Sequence, residues 1–268
     1  MPVTFVHPLA ALPFRRVGLP TAALVAGALA PDLAYVLPIE VPRYMRHNIA
    51  GIFAFAAPVA LFGLWLHYTF TAHALGALTS PQLAGIEAEF RFWPTRRLGA
   101  LAVAAVVGAA THVLIDECTH YYGWVAKALP VLRDPVPLPW PEPIAGYKVL
   151  QYGLSAVGSV VVAWMSRHWL GQAWALTRDP ERCRLIWAWA AFTTTASLLA
   201  AFAGASALEG WLQVRVFVVR LVVGLMGFGY GGLLGYGLWL RTRRSPPRGP
   251  SPRLRPSAHS RSEAAKRV

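Results

Sequence analysis

The sequence predicts an all-α, multi-pass helical membrane protein with five or six membrane segments and a disordered basic C-terminal tail. Three observations carry that expectation. Hydrophobic residues make up 56% of the chain and charged residues only 14%, whereas an average soluble domain is about 25% charged. Apolar runs of about twenty residues recur, each long enough as a helix to cross a hydrocarbon core of about 30 Å. The basic residues fall with a strong bias on alternate connecting segments, as expected when cytoplasmic loops retain Lys and Arg.

The first apolar segment, Val17–Ala30, follows a stretch holding His7-Pro8, Pro13 and the pair Arg15-Arg16, and stops at Pro31-Asp32. The residue before a proline disfavours helix, so the segment is expected to end there. Its Ala-Leu-Ala resembles a signal-peptide cut, but Pro31 directly after that cut disfavours processing, and the segment is read as retained. As a helix it is about 21 Å long, short for a span. It therefore either crosses, giving six segments, or is re-entrant, leaving five and bringing His7 to the same face as Asp32.

A polar loop, Pro38–Asn48, carries Arg43, Arg46 and His47. Ile49–Phe70 reads as a span, Thr71–Arg97 as a polar connection, and Leu98–Cys118 as the next span. His120–Gly146 is a loop whose prolines exclude helix and whose aromatic residues suit the headgroup level. Tyr147–Leu170, Leu185–Ala207 and Val214–Leu240 complete the spans, the last glycine-rich as close helix packing requires. Organisation follows: residues 1–170 form a membrane domain carrying a metal site, 171–240 add two helices, and 241–268 form the tail.

The formal charge of +13 resembles a nucleic-acid signal, but nine of the basic residues follow Leu240 in a Pro- and Ser-rich tail. There they act as a topology determinant, with anionic lipid as a secondary partner and no nucleic acid expected. If the first segment crosses, eighteen Lys and Arg lie on one side and five on the other; if it is re-entrant, sixteen and seven. Either tally places the tail on the cytoplasmic side of the cell membrane. Cys118 and Cys183 are too few for a disulfide framework and are expected as free thiols. The oligomeric state is not legible.

The stretch around which the rest is organised is Thr111–His120, with the spacing His112-x-x-x-Asp116-x-x-x-His120. Residues four apart share one helical face. Buried imidazole and carboxylate at the end of a membrane helix require a partner. On the topology above, Asp32, His47, His112, Asp116 and His120 all reach one membrane face, where Tyr147, Lys148 and Gln151 open the next span. Taken singly, Asp32 could cap a turn, His47 could be an interfacial residue, His120 could be solvated, and His112 with Asp116 could be a hydrogen-bonded pair. Their agreement on one face argues for a divalent metal: zinc first, manganese or iron next. Five ligands exceed one tetrahedral zinc, which leaves room for a second ion.

The pieces V-T-F-V-H-P, G-A-L-A-P-D, R-H-N, T-H-V-L-I-D-E-C-T-H-Y-Y-G-W and Y-K-V-L-Q-Y resemble a bacterial membrane-protein family catalogued as a domain of unknown function (family 4184). The order His, Pro-Asp, His, His-x-x-x-Asp also resembles the membrane-bound metal-dependent hydrolases and, more distantly, the zinc phospholipase C and P1-nuclease group. That resemblance implies His7, Asp32, His47, His112 and Asp116 as metal ligands. The phospholipases' N-terminal tryptophan ligand and downstream histidine–glutamate pair have no counterpart here, so a three-metal site is not implied.

The function expected is metal-dependent hydrolysis, most naturally of a phosphoester or lipid-like substrate near the outer membrane face. Asp116 and His120 are the candidate catalytic groups, and His120 is also a candidate ligand. Arg46 and Lys148 are candidates to neutralise a phosphate, and Tyr147 and Gln151 to orient it. The alternative is a non-catalytic metal-binding or ion-transport protein.

Overall fold

The computed structural model describes residues 4–36, 41–78, 95–137, 143–176 and 179–243. The tail beyond Arg243, the middle of the polar connection and the central prolines of the long loop lie outside these residues. In them the protein is helical throughout, apart from one two-residue antiparallel ribbon. Five helices are long and apolar enough to cross a membrane, so the chain has the all-α, multi-pass architecture expected.

The first apolar segment is not among the five. After a 3-10 turn at Thr4–Val6, helix α1 (Pro8–Ala11) runs into a second 3-10 stretch, Leu12–Val17, and the chain reverses at Gly18. Gly18 has φ 84°, in the left-handed region that only glycine enters without strain. Helix α2 (Thr21–Leu33) then returns along α1. The hairpin leaves and re-enters at one end, so His7 and Asp32 finish side by side. The helix runs three residues past the expected end at Ala30, to Leu33. Helix α2 carries Pro31 in its last turn, and side chains take carbonyls in that turn. His112 contacts the Ala28 carbonyl at 2.7 Å and Arg46 donates to the Pro31 carbonyl at 2.6 Å.

Helix α3 (Arg43–Arg46) is one turn, broken at His47. Asn48 caps the following helix by accepting from the Gly51 N–H at 2.7 Å. That span, α4 (Ile49–Thr71), contains π-helical turns at Ile52–Ala56 and His67–Thr71. Helix α5 (Thr95–Thr119) carries the organising motif. It packs on α2 more closely than branched side chains allow. A Cβ on Gly27 would meet the Ala105 backbone, and one on Gly108 would meet the backbone of Leu24 and Ala28. Alanines fill the remaining contact: Ala30, Ala56, Ala60, Ala105 and Ala109 are buried in one cluster with Ile52 and Val113.

The proline-containing loop is more ordered than expected, since two short helices, α6 (Trp124–Ala128) and α7 (Pro130–Arg133), lie in it. Pro130 is tolerated because the first helical position needs no N–H partner. A ribbon pairing Pro135 with Ala145 and Val136 with Ile144 closes the loop. The long helices α8 (Gly146–Leu176), α9 (Pro180–Ala205) and α10 (Gly210–Arg243) follow, longer than their apolar cores alone. Helices α9 and α10 pack along one another and dock on the far end of α4, where a Cβ on Gly237 would meet the Phe70 backbone.

Candidate metal centre

Five sequence-distant side chains converge where α2, α3, α4 and α5 end. His112 and Asp116 come from the last turns of α5, Asp32 from the last turn of α2, and His7 from the start of α1. His47 sits in the break between α3 and α4. All five are buried, His112 completely. His47 Nε2 lies 3.2 Å from Asp116 Oδ2 and 3.5 Å from Asp32 Oδ1. His112 Nε2 lies 3.7 and 3.8 Å from the same two oxygens. His7 Nε2 faces the other oxygen, Asp116 Oδ1, at 3.4 Å.

The backbone orients two of the rings. A carbonyl only accepts, so a ring nitrogen bonded to one carries the hydrogen and leaves the other as a bare lone pair. His112 donates from Nδ1 to the Ala28 carbonyl at 2.7 Å, and His7 from Nδ1 to the Thr4 carbonyl at 3.3 Å. Both Nε2 atoms are thereby set as acceptors, the tautomer a metal ligand needs. Thr4 also donates to Asp32 Oδ2 at 2.7 Å, turning Oδ1 toward the histidines.

The Nε2 atoms of His7, His47 and His112, with Asp32 Oδ1 and Asp116 Oδ1, are buried and find no hydrogen-bond partner among the described residues. Unpaired buried polar atoms are costly, each by about 1–3 kcal/mol. Five such atoms facing one another could hold a cation. Two overlapping triads have ligand atoms within 4.8 Å of one another: His7, Asp32 and His112, and His47, His112 and Asp116. Ligands bonded at about 2.0–2.2 Å to one tetrahedral ion lie about 3.2–3.6 Å apart. The separations of 3.2–3.5 Å made by His47 fall within that spacing, and those of 3.7 and 3.8 Å made by His112 lie just beyond it. Nitrogen and carboxylate donors in this proportion suit zinc, manganese or iron.

Arginines neutralise part of the carboxylate charge. Arg43 donates from Nη2 to Asp116 Oδ2 at 2.7 Å and is 32% exposed. Arg46 is buried: it donates to the Val41 and Pro31 carbonyls, stacks over Tyr35 at 4.1 Å, and lies 3.9 Å from Asp32. Burial alone would lower the pKa of His47, but its contacts with Asp116 and Asp32 outweigh that and hold it above the ordinary 6.5.

A cleft of about 460 Å³ opens beside the cluster, lined by Arg43, Tyr44, His47, Asp116, Glu117, His120, Tyr122 and Gly123. His120, just past the end of α5, contacts the Asp116 carbonyl at 3.1 Å and Asp116 Oδ1 at 3.4 Å, both through Nδ1. Glu117 accepts from the Trp124 N–H at 2.6 Å and so starts α6. Gly123 passes so close to the Glu117 backbone that a Cβ would collide with it.

The six expected ligands, His7, Asp32, His47, His112, Asp116 and His120, are therefore brought together, with His120 at the rim. Of the four expected substrate contacts, none lines the cleft. Arg46 lies behind the cluster, Lys148 is exposed on α8, Gln151 is buried there, and Tyr147 tilts against Tyr121 at a ring separation of 6.4 Å. Arg43, Tyr44, Tyr122 and Thr4 are the site residues that sequence reasoning passed over. Arg43 carried a legible signal, since it stands four residues before His47.

A family model described as "Domain of unknown function (DUF4184)" matches residues 1–238. Comparisons with curated proteins and with solved structures give no match. The likeness to hydrolases accordingly rests on motif order alone.

Proposed function

The chain belongs to the DUF4184 family, whose description names no chemistry, and from the site's own geometry we propose a membrane-embedded, metal-dependent hydrolase of phosphoesters. The carrying observation is the set of five buried, unpaired ligand atoms beside a cleft that His47 and Asp116 line together with a half-buried arginine. A divalent ion there, zinc in the first instance, would supply a water of pKa about 7 and polarise a phosphoryl oxygen.

The protein's own groups supply the rest. Arg43 is the guanidinium that lines the cleft, and its Nε is unpaired. It takes the phosphate-neutralising role for which Arg46 and Lys148 were candidates, because a guanidinium fork matches phosphate oxygens. In hydrolysis a water oxygen bonds to phosphorus, the ester P–O bond breaks, and the leaving oxygen needs a proton. His120, at the rim with its Nδ1 hydrogen on the Asp116 carbonyl and its Nε2 a bare lone pair, is the group to take a proton from the attacking water and return it to the leaving oxygen.

Supporting a lipid-borne substrate is an apolar seam below the cleft. Ile52 and Val113 are buried in the same cluster between α4 and α5. One residue further on each of these antiparallel helices, Phe53 and Leu114 turn outward on the same side, 61% and 55% exposed, with Ile49 above at 76%. Tyr44 and Tyr122 line the opening and, with Trp124 nearby in sequence, are exposed aromatic residues of the kind that suit a headgroup layer.

The site is read as facing outward from the cytoplasmic membrane. The register of Gly27 on Ala105 and Gly108 on Leu24 sets the tip of the first hairpin level with the start of α5 near Arg97. Arg15 and Arg16 are exposed there, at the end opposite to the site. Counting them with the tail, the sequence tally is eighteen basic residues to five. The test is turnover of a panel of soluble and vesicle-borne phosphoesters by metal-loaded protein. Hydrolysis abolished by a chelator supports the reading. Turnover of none of them, with an ion flux that responds to His112→Ala, replaces it with transport.

A further inference from the structure

The imidazoles of His7 and His112 are stacked, with ring centroids 3.9 Å apart and planes only 20° from parallel. An imidazole nitrogen binds a metal along its lone pair, in the plane of its ring. Lone pairs in two nearly parallel planes this far apart do not meet at a point about 2.0–2.1 Å from both nitrogens. One ion cannot serve both rings. Both rings are nonetheless held by backbone carbonyls at Nδ1 and present a bare, fully buried Nε2.

The two nitrogens also face different oxygens of one carboxylate. His7 Nε2 is 3.4 Å from Asp116 Oδ1, while His112 Nε2 is 3.7 Å and His47 Nε2 3.2 Å from Asp116 Oδ2. Asp32 shares one of the two triads with His7 and His112, and its Oδ1 lies 3.5 Å from His47 Nε2 and 3.8 Å from His112 Nε2, at the boundary between the two groups. Because His7 and His112 cannot share an ion, Asp32 is assigned with His7. From this geometry we infer that the site holds two divalent ions bridged by Asp116. One is bound by His47, His112 and Asp116 Oδ2, the other by His7, Asp32 and Asp116 Oδ1. Each ion keeps three protein ligands and so an open position. Two divalent ions against two carboxylates leave a positive surplus, to which Arg43 adds, and an anionic group bridging the ions is the ligand this charge selects.

The inference rests on the metal-binding part of the reading above and is separable from hydrolysis. Tag-free, full-length protein in detergent is saturated with manganese, and the bound metal is measured together with its electron paramagnetic resonance. Two ions per chain with an exchange-coupled signal are expected. His7→Gln should retain one ion, His47→Gln one ion, and Asp116→Ala neither, with the uncoupled signal of isolated manganese wherever one remains. Size exclusion and thermal unfolding of each variant show whether it is folded, and the wild-type ratio and coupling alone decide the matter if one is not. Saturation at one ion, or two ions without coupling, overturns the inference. Two coupled ions in a protein that hydrolyses nothing sustain it and end the hydrolase reading, whereas an active one-ion enzyme does the reverse.

Discussion

At the scale of single residues, the centre is held by groups whose second hydrogen bond is already committed. His112 is the clearest case, with Nδ1 spent on the Ala28 carbonyl and Nε2 buried and free. His112→Ala and Asp116→Ala should each lower metal content by at least half and reduce the melting temperature, because the remaining ligands are left unpaired. Unchanged metal content in either variant would count against the site. The two arginines should separate cleanly. Arg43→Ala should leave folding intact and lower kcat/KM by about 10- to 100-fold, roughly 1.4–2.7 kcal/mol of transition-state binding. Arg46→Ala should destabilise by about 3–5 kcal/mol, the range for breaking a buried charged network, since Arg46 ties two backbone carbonyls to Asp32. Equal kinetic effects with no stability difference would reverse these roles. His47 fixes the pH dependence. Its pKa is raised in the fold, so in the metal-free protein its pairing with the carboxylates is fully present below pH 6.5 and is lost as pH rises through the folded value. A ligand must be deprotonated, so metal binding should release a proton and weaken as pH falls through that same value. Calorimetric titration in buffers of different ionisation enthalpy would expose that proton, and its absence would exclude His47 as a ligand.

At the scale of elements, the centre depends on how closely α2 and α5 approach. Gly27 and Gly108 permit backbone contact, and that contact brings the Ala28 carbonyl to His112 and Asp32 to Asp116. Gly108→Leu should push the helices apart, destabilise by about 1–3 kcal/mol or more, and lower metal affinity although no ligand is touched. Gly99, on the same helix, faces open space, and Gly99→Leu should do neither. Identical metal affinity in the two variants would show that the spacing of α2 and α5 does not set the site. The break between α3 and α4 is the second structural device. Asn48 caps α4 immediately after His47, which turns the histidine inward instead of letting it ride on a continuous helix.

At the scale of the whole molecule, the helical hairpin at the start lets His7 and Arg15-Arg16 point to opposite ends, so ligand placement and charge bias agree. Cysteine introduced at Pro137 should be labelled from outside intact cells, and cysteine at Ser251 only after permeabilisation; the reverse would turn the site inward. The five spans, their order and the family were legible in the sequence, because apolar runs, charge bias and contiguous motifs are local properties of the chain. So were five of the six ligand candidates, since metal-binding side chains are rare in membrane segments and the crowding of Asp32, His47, His112, Asp116 and His120 at one end is visible in the order of residues. His7 entered only through the family resemblance, because its face depended on the first segment. The fate of the first segment was not legible. A 13-residue helix that crosses and one that folds back have the same composition, and only packing of α2 against α5 distinguishes them. Nor did the sequence separate Arg43 from Arg46, two like charges three positions apart. The turn of α3 and the break at His47 send one into the cleft and bury the other against carbonyls, and that difference exists only in three dimensions.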